Sequence, residues 1–311
     1  MQYTVDVIIP TYKPGKQIFQ LIQLLEEQTY PVTKIVLMNT EEKYFEKIFY
    51  GTGFLERYKN IEVHHLSEKE FDHGRTRNRA ISYSKADIFV CMTQDAIPAD
   101  QNLIEHLVKA LESEKDVAAV YAKQLPQEGC REIEKYTRSF NYPDERRVKT
   151  REDIDELGIK TFFCSNVCAA YHRNIFDMQG GFVNKAIFNE DMIFAGKAIM
   201  AGYKIIYEPS AKVYHSHNLT CKQQFKRNFD LGVSQAQHPE IFAGVSSQSE
   251  GKKLVKQTVS HLKEVHQARL IPYLIVQSGC KLIGYRLGLQ YDSLPYGLVK
   301  KCSDSKYFFN R

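Results

Sequence analysis

The 311-residue sequence predicts an α/β protein with a Rossmann-like, mostly parallel sheet flanked by helices, followed by a helical C-terminal extension. Two observations lead to this prediction. Apolar segments of strand length alternate with amphipathic segments of helical period over about the first 125 residues. Polar residues directly follow several strand segments, as they do at the carboxyl edge of a parallel sheet, where ligands bind.

The first strand–helix unit is predicted close to the N-terminus. Residues 4–10 alternate apolar and polar side chains, which indicates a strand that ends at Pro10. Residues 18–25 place apolar side chains at i, i+3, i+4 and i+7, the pattern of a helix packed on a sheet. Residues 34–38 form a second apolar strand, which Asn39 and Thr40 follow. Further strands are predicted at 61–66, 88–92 and 117–122, and further helices at 73–84 and 102–111.

The segment from residue 88 to residue 98, IFVCMTQDAIP, is the most informative of these strands. Its apolar run has the length and composition of a buried central strand. Thr93, Gln94 and Asp95 then stand at the carboxyl end of the strand, and Pro98 prevents the ladder from continuing. The carboxylate of Asp95 is either a ligand-binding group or a cap for the helix that follows.

The strand–helix pattern is interrupted at residues 126–160 by a charged segment that contains aromatic residues. We expect this segment to cover the mouth of an active site; the alternative is a surface insertion without a role. A strand rich in small and apolar residues is predicted at 162–173, and Gly180 to Phe182 form a tight turn. Residues 189–191, Asn-Glu-Asp, begin an apolar-faced helix that ends near Gly202, and carboxylates at this position are typical of a helix N-cap.

Two histidines, His215 and His217, close the strand and bend that begin near residue 203. A single histidine in such a place is more often a satisfied polar residue of the core. Two histidines after one strand, in a chain that also offers Asp95, make a metal site an equal alternative.

Composition and charge restrict the class of protein. The net charge is +5, but from Thr220 to Arg311 there are 14 Lys or Arg against 6 Asp or Glu, so this part carries +8 and the remainder −3. The asymmetry indicates a region that meets an anionic surface, or a solvated helical face. No GxGxxG or Walker A motif is present, so neither a dinucleotide site of the Rossmann type nor a P-loop is supported.

The cellular location is predicted from the absence of membrane-span and signal-peptide patterns in the sequence. No apolar stretch approaches the ~18 residues of a membrane span, and no signal-peptide pattern precedes the first strand. The seven cysteines lack the pairing of a zinc site, which indicates reduced thiols of a cytoplasmic protein. Residues 270–276 are apolar with basic flanks, and they fit peripheral contact with the inner face of the cell membrane, packing on the catalytic domain, or a homo-oligomer interface.

Six motifs stand in the order and spacing of a known family across about the first 235 residues. They are VDVIIPTY (5–12), FDHGRTRN (71–78), TQDAIP (93–98), GGF (180–182), NEDMIFAGKAIMAGYKI (189–205) and HSHN (215–218). Each motif alone is weak evidence, but together they are specific. By these motifs the chain resembles glycosyltransferase family 2, the inverting enzymes with the GT-A fold, and most closely the bacterial rhamnosyltransferase-like group.

The resemblance implies a domain arrangement and a donor site. A GT-A catalytic domain would span 1–220, with a nucleotide-binding half at about 1–125 and an acceptor-binding half at about 126–220, before a helical region at 221–311. The donor would be a nucleotide sugar of the dTDP or UDP type. The residues implied for donor binding are Pro10, Thr11, Tyr12, Asn39, Arg77 and Gln94. Asn39 stands where the family commonly has an Asp that holds the pyrimidine.

The resemblance also implies the catalytic groups. The family's Asp-x-Asp metal motif reads Thr93-Gln94-Asp95 here, so the first Asp is missing and Asp95 is kept. His215, or His217 in its place, would be a further ligand, and imidazole favours Mn²⁺ over Mg²⁺. Asp191 would be the general base that deprotonates the acceptor hydroxyl, with Glu190 as helper or substitute.

The expected activity follows from these assignments. We expect a metal-dependent, inverting transfer of a sugar, L-rhamnose from dTDP-rhamnose, to a surface polysaccharide or a lipid-linked glycan, without a nucleic-acid partner. The alternatives are a UDP-hexose or UDP-N-acetylhexosamine donor, a sugar nucleotidyltransferase, and a non-catalytic glycan-binding relative. The nucleotidyltransferase would require a Gly-rich phosphate loop after the first strand, and PTYKPG matches it poorly.

Overall fold

The computed structural model describes residues 3–245, 248–305 and 307–310. In this part of the chain one mixed sheet of nine strands forms the centre. In chain order the strands are β1 (Val5–Tyr12), β2 (Lys34–Thr40), β3 (Ile61–Leu66), β4 (Ile88–Met92), β5 (Ile97–Pro98), β6 (Val117–Leu125), β7 (Arg147–Lys149), β8 (Cys168–His172) and β9 (Lys204–Tyr214). In space they lie in the order β3-β2-β1-β4-β8-β6-β9-β5, and β7 pairs with β9.

The first four strands in space form the parallel half that the sequence predicts. β1 pairs in parallel with β2 and with β4, and β2 pairs in parallel with β3. The predicted end of the first strand at Pro10 is wrong, because β1 continues to Tyr12. Beyond Ile8, β1 pairs only with β2, so no strand on the other side needs the N–H that proline lacks.

The second half of the sheet is built around β8, which runs antiparallel between β4 and β6. β6 and β9 are again parallel. The strand predicted at 162–173 is shorter than expected. A 3₁₀ turn occupies Gly158–Phe162, and residues 163–167 form a loop that lines the cleft described below.

Helices cover both faces of the sheet, which confirms the doubly wound pattern. Along the first 200 residues they are α1 (Gln17–Glu26), α2 (Glu42–Phe49), α3 (His73–Ser82), α4 (Leu103–Glu112), α5 (Glu132–Asn141), α6 (Ile154–Leu157), α7 (Arg173–Met178) and α8 (Glu190–Met200). One apolar layer joins α1 and α4 to the sheet, and the other joins α3 and α8 to the opposite face. Of these helices, α2, α5, α6 and α7 have no counterpart in the sequence prediction.

Helix α3 packs against the glycine turn that follows α7 and is hydrogen-bonded to it. The side-chain amide of Asn78 donates to the carbonyl of Phe182 at 2.7 Å, and its oxygen accepts from the Phe182 N–H at 3.0 Å. A Cβ atom on Gly74 would lie 1.8 Å from the carbonyl oxygen of Val183, so only glycine fits at this contact. The two motifs HGRTRN and GGF are therefore coupled by packing and hydrogen bonds.

The C-terminal region is helical in its described residues. Its helices are α9 (Cys221–Gln237), α10 (Pro239–Phe242), α11 (Gln248–Glu264), α12 (Ile271–Leu289) and α13 (Tyr296–Cys302). The region packs on the preceding part of the chain; for example, His261 contacts Glu132 at 2.8 Å and stacks on the ring of Tyr136. Leu274 of α12 is buried, whereas Ile275 and Val276 are exposed.

Short 3₁₀ turns complete the described structure. Besides the turn already given, they are Leu55–Arg57, Arg151–Asp153, Ala268–Leu270, Tyr291–Ser293 and Phe308–Asn310. Among the helices that the structure describes, none combines the length and apolarity needed to cross a bilayer.

Candidate active site

A cleft of about 530 Å³ opens at the carboxyl ends of β1 and β4. Its walls bring together residues that are far apart in the sequence: Pro10 to Tyr12, Thr93 to Asp95, residues 189–191, His215 and His217. The segment predicted to cover the site mouth lies here too, because residues of α5 line the cleft. Asp95 is therefore not a helix cap; Asn102 is the residue that precedes α4.

Asp95, His215 and His217 form a cluster of three potential metal ligands. One carboxylate oxygen of Asp95 lies 3.2 Å from Nε2 of His217, and the other lies 3.7 Å from Nε2 of His215. The ligand atoms all lie within 4.8 Å of one another. Although burial opposes ionisation, the hydrogen bond from His217 holds the pKa of Asp95 below its ordinary value.

The orientation of His215 fits a metal ligand. Its Nδ1 lies 2.9 Å from the side-chain oxygen of Gln124, an oxygen that also accepts a hydrogen bond from the guanidinium of Arg138. An oxygen can only accept, so Nδ1 carries the proton and the lone pair of Nε2 faces Asp95. Burial lowers the pKa of His215 to about 3, which keeps the ring neutral. One carboxylate and two imidazoles are a donor set suited to a divalent transition metal.

Gln94, the middle residue of the Thr-Gln-Asp motif, joins the ends of two strands. Its side-chain oxygen accepts from the N–H of Tyr12 at 3.0 Å, and its amide donates to the Tyr12 carbonyl at 2.9 Å. These two bonds continue the link between β1 and the residues after β4 beyond the point where the ladder stops. Gln94 thereby fixes the position of the Tyr12 backbone relative to the neighbouring Asp95.

The first turn of α8 contributes two carboxylates in different environments. Glu190 is buried and lies 2.9 Å from the guanidinium of Arg77. Although burial opposes ionisation, this guanidinium holds the pKa of Glu190 below its ordinary value. Asp191 has no such partner among the described residues. Its oxygens accept hydrogen bonds from the backbone N–H groups of Asn166 and Met192, each at 2.8 Å.

Burial and the negative charge of Glu190 raise the pKa of Asp191 well above the ordinary range of an aspartate. A carboxylate with a raised pKa, fixed by two backbone donors and facing a cleft, can accept a proton near neutral pH. Asn166 connects the two acids, because its side chain donates to Glu190 at 2.9 Å while its backbone donates to Asp191. The arrangement combines a proton acceptor with a cluster of metal-ligand type in one cleft.

Comparison with known proteins identifies the family. A family model described as Glycosyl transferase family 2 matches residues 6–179, more than half of the chain. The chain belongs to glycosyltransferase family 2.

Family 2 relatives extend over almost the whole chain. The chain is 36% identical over 310 residues to the O-antigen chain rhamnosyltransferase RfbN of Salmonella typhimurium, covering 98% of this chain and 96% of the relative. It is also 36% identical over 309 residues to the O-antigen chain rhamnosyltransferase WbaN of Salmonella anatum, covering 98% of this chain and 95% of the relative. The sequence match therefore includes the C-terminal region of this chain.

Solved structures of glycosyltransferases share the GT-A fold with this chain. The mannosyltransferase PcManGT from Pyrobaculum calidifontis, solved with GDP-Man and Mn²⁺, superposes with a TM-score of 0.58 at 17% identity, over 100% of this chain and 86% of that chain. S. aureus TarS 1-349 superposes with a TM-score of 0.52 at 14% identity, over 93% of this chain and 91% of that chain. The fold predicted from the family 2 motifs is confirmed.

The residues expected to bind a donor in a family 2 enzyme do not all reach the cleft. Pro10, Thr11, Tyr12, Arg77 and Gln94 line it. Asn39 is fully buried behind Thr11, whose hydroxyl donates to the Asn39 oxygen at 3.1 Å. The amide of Asn39 lies 3.0 Å from Nδ1 of His65, so both ends of its side chain are occupied. Direct contact between Asn39 and a base stays a prediction.

Two residues that organise this family 2 site were not singled out from the sequence. Gln124 orients His215, and Asn166 orients Glu190 and Asp191. Each is a polar residue beside an apolar strand segment, in VAAVYAKQL and FFCSNVCAAY. A buried amide at the end of a strand is a signal, but its partners lie about 25 to 90 residues away and cannot be read from the local pattern.

Proposed function

We propose that the protein is an inverting, metal-dependent rhamnosyltransferase that uses dTDP-L-rhamnose as donor and a surface glycan as acceptor. The observation that carries the proposal is that one cleft contains both the Asp95, His215 and His217 cluster and the carboxylate of Asp191, which forms no salt bridge with a described residue. The sugar is suggested by the two O-antigen chain rhamnosyltransferases, each 36% identical over nearly the full chain.

The donor is proposed to lie along the edge of the parallel half of the sheet. Pro10, Thr11 and Tyr12 would contact the base and ribose, as the family motif implies, and Gln94 would hold the backbone of Tyr12 in place. A second cavity adjoins the cleft at Tyr12 and Phe71 and extends toward the C-terminal residues Asp304 and Ser305. This extension offers space for the nucleoside end of the donor.

A divalent metal ion is proposed to be held by Asp95, His215 and His217. When bound, it would neutralise the diphosphate leaving group of the donor. The two imidazoles favour Mn²⁺ over Mg²⁺, and the mannosyltransferase PcManGT was solved with Mn²⁺. Gln124 would keep the lone pair of His215 directed at the ion.

Asp191 is proposed to act as the general base. It would take the proton of the acceptor hydroxyl as the hydroxyl oxygen bonds to the anomeric carbon. The bond from that carbon to the phosphate oxygen breaks in the same in-line step, and the nucleoside diphosphate leaves with the electron pair. A single displacement inverts the anomeric configuration. Glu190 forms a salt bridge with Arg77, and its negative charge would assist Asp191 by raising the pKa of Asp191.

The acceptor and the cellular setting also belong to this proposal. A lipid-linked glycan acceptor would place the enzyme at the inner face of the membrane in the cytoplasm. Several large apolar side chains of α12 are exposed and offer a surface for lipid or for a second copy of the chain: Ile275, Val276, Leu282, Ile283 and Leu289. The basic balance of the C-terminal residues favours an anionic surface.

Thermal unfolding with nucleotide sugars tests the proposal. With Mn²⁺ present, dTDP-rhamnose should raise the melting temperature more than UDP-glucose, UDP-N-acetylglucosamine or GDP-mannose. The Asp95→Asn variant, which keeps the shape of the side chain, should lose most of the Mn²⁺-dependent part of this rise. A larger rise with a UDP sugar would replace the donor assignment, and no rise with any nucleotide sugar would contradict the proposed function.

A further inference from the structure

Two cations of the C-terminal region line the cleft without a salt bridge to any described residue. Arg227 on α9 and Lys281 on α12 both line it, and neither forms a salt bridge with any described residue. Arg138 of α5 lines the cleft as well, but Glu134 neutralises it at 2.6 Å. The carboxylate of Glu134 attracts both cations without forming a salt bridge to either, so both face the same space as Asp95 and Asp191.

Lys281 stands at a position that helix packing normally gives to an apolar or small residue. The buried stripe of α12 carries Leu274, Gln277, Gly284 and Gly288, of which the two glycines contact α9. Lys281 falls in the same stripe, four residues after Gln277 and three before Gly284. Placing an ammonium group there costs free energy of desolvation, which an anionic ligand in the cleft would offset.

The two helices that carry these cations are in direct backbone contact. A Cβ atom on Gly284 would lie 2.2 Å from the carbonyl oxygen of Phe225, and one on Gly288 would lie 2.1 Å from that of Phe229. Such contacts fix the register of α12 on α9. Lys281 is thereby held in a fixed position relative to Arg227.

Arg227 lies beside the start of α8, which carries the proposed base Asp191. Its guanidinium lies 4.8 Å from the ring centroid of Phe188, the residue next to Asn189 at the start of α8. Its charge interacts with both His215 and Asp191 across the cleft. The side chain is exposed to this cleft, so its donors are free to meet a ligand there.

We propose that Arg227 and Lys281 bind the phosphate groups of the nucleotide-sugar donor, so that the C-terminal region completes the donor site. This inference rests on the proposed function. A guanidinium matches phosphate oxygens with two parallel hydrogen bonds, and an ammonium adds a compact positive charge. Both residues lie outside the residues 6–179 that match the family model.

Calorimetric titration of the full chain with a phosphate series tests the inference. The probes are thymidine, dTMP and dTDP, with uridine, UMP and UDP in parallel, in the presence of Mn²⁺. The Arg227→Gln and Lys281→Met variants should each bind dTDP about tenfold more weakly, as expected for loss of a charged hydrogen-bond donor. Thymidine affinity should not change, and the salt dependence of dTDP binding should fall.

Matched controls remove the same charge from the same helices outside the cleft. Lys222→Met on α9 and Arg286→Gln on α12 alter exposed residues and should leave dTDP affinity unchanged. Lys281→Arg keeps the charge and should retain most of the affinity, which separates a charge effect from a packing effect. Thermal unfolding of each variant without nucleotide checks that the fold is intact.

The outcomes distinguish this inference from the proposed function. If wild-type protein binds dTDP or UDP but both cleft variants bind it equally well, the inference is wrong. It is also wrong if the variants raise only the KM for the acceptor, because the cations would then serve the acceptor. If the wild-type protein binds neither nucleotide, the proposed function itself fails.

Discussion

The guanidinium of Arg77 lies 2.9 Å from the carboxylate of Glu190, and both side chains are almost fully buried. This pair gives the two adjacent acids of α8 different properties. Arg77 keeps Glu190 ionised, and burial together with the charge of Glu190 raises the pKa of Asp191, which forms no salt bridge within the described chain. The Glu-Asp sequence thus provides one fixed anion and one proton acceptor.

Removing Arg77 should strongly destabilise the protein. In Arg77→Ala, Glu190 would be left as a buried charge without its partner, and we expect a loss of about 3–5 kcal/mol in the free energy of unfolding. Urea unfolding measures it. Arg79→Ala, at an exposed position of the same helix, should change stability by less than about 0.5 kcal/mol.

The double variant Arg77→Ala/Glu190→Gln sharpens this prediction. It removes both charges, so it should recover part of the stability that Arg77→Ala alone loses. Equal stability of Arg77→Ala and the wild-type protein would show that the pair does not hold Glu190 ionised.

The side chain of Gln124 should control metal affinity although it is not a ligand. Gln124→Leu removes the acceptor that holds the proton on Nδ1 of His215, so the ring is free to turn or to change tautomer. Mn²⁺ affinity, measured by titration of the protein without nucleotide, should fall about 10- to 100-fold. Gln101→Leu, an exposed position outside the cleft, serves as the control. An unchanged Mn²⁺ affinity in Gln124→Leu would contradict the role given to Gln124.

Asp230 should make stability fall with rising pH. Burial raises the pKa of Asp230 to about 7, above the ~3.9 of an unfolded aspartate, so the native state keeps a proton that the unfolded state has lost. Between these two pH values the free energy of unfolding should decrease as pH rises, by up to about 1.4 kcal/mol per pH unit from this group.

The Asp230→Asn variant isolates this effect. It cannot ionise, so its stability relative to wild type should improve from pH 4 to pH 7, as measured by urea unfolding at several pH values. The exposed Asp292→Asn change should show no such trend. Parallel pH dependence of wild type and Asp230→Asn would show that Asp230 ionises normally.

Local patterns were sufficient for most of the fold. The predicted strands at 34–38 and 88–92 match the observed strands closely because each is a buried apolar run. The strand at 61–66 also matches, although most of its residues are only half-buried. The strand at 162–173 was predicted too long, because residues 163–167 take their conformation from partners on α8 rather than from local propensity. The first strand was predicted to end at Pro10 because proline lacks the N–H that a central strand needs. Beyond Ile8, however, β4 no longer pairs with β1, and this depends on the order of strands in the sheet rather than on local sequence.

The site was predicted less completely than the fold. The family motifs pointed to Asp95, Asp191 and His215, and all three line the cleft. The motif pattern did not reveal that Gln94 hydrogen-bonds to the backbone of Tyr12, since this contact spans 82 residues. Arg227 and Lys281 were not predicted either, because only the packing of α12 on α9 brings the C-terminal cations to the cleft.

The most direct test of the account is the turnover of Asp191→Asn. With dTDP-rhamnose, Mn²⁺ and a lipid-linked glycan acceptor, kcat for release of dTDP should fall about 10²- to 10⁴-fold, while the donor Kd stays within about twofold. The exposed Asp177→Asn change should leave both quantities unaltered. In the wild-type enzyme, kcat should rise with pH through a pKa well above that of an ordinary aspartate, since Asp191 must be deprotonated to act. Wild-type turnover by Asp191→Asn would contradict the assignment of Asp191 as the base.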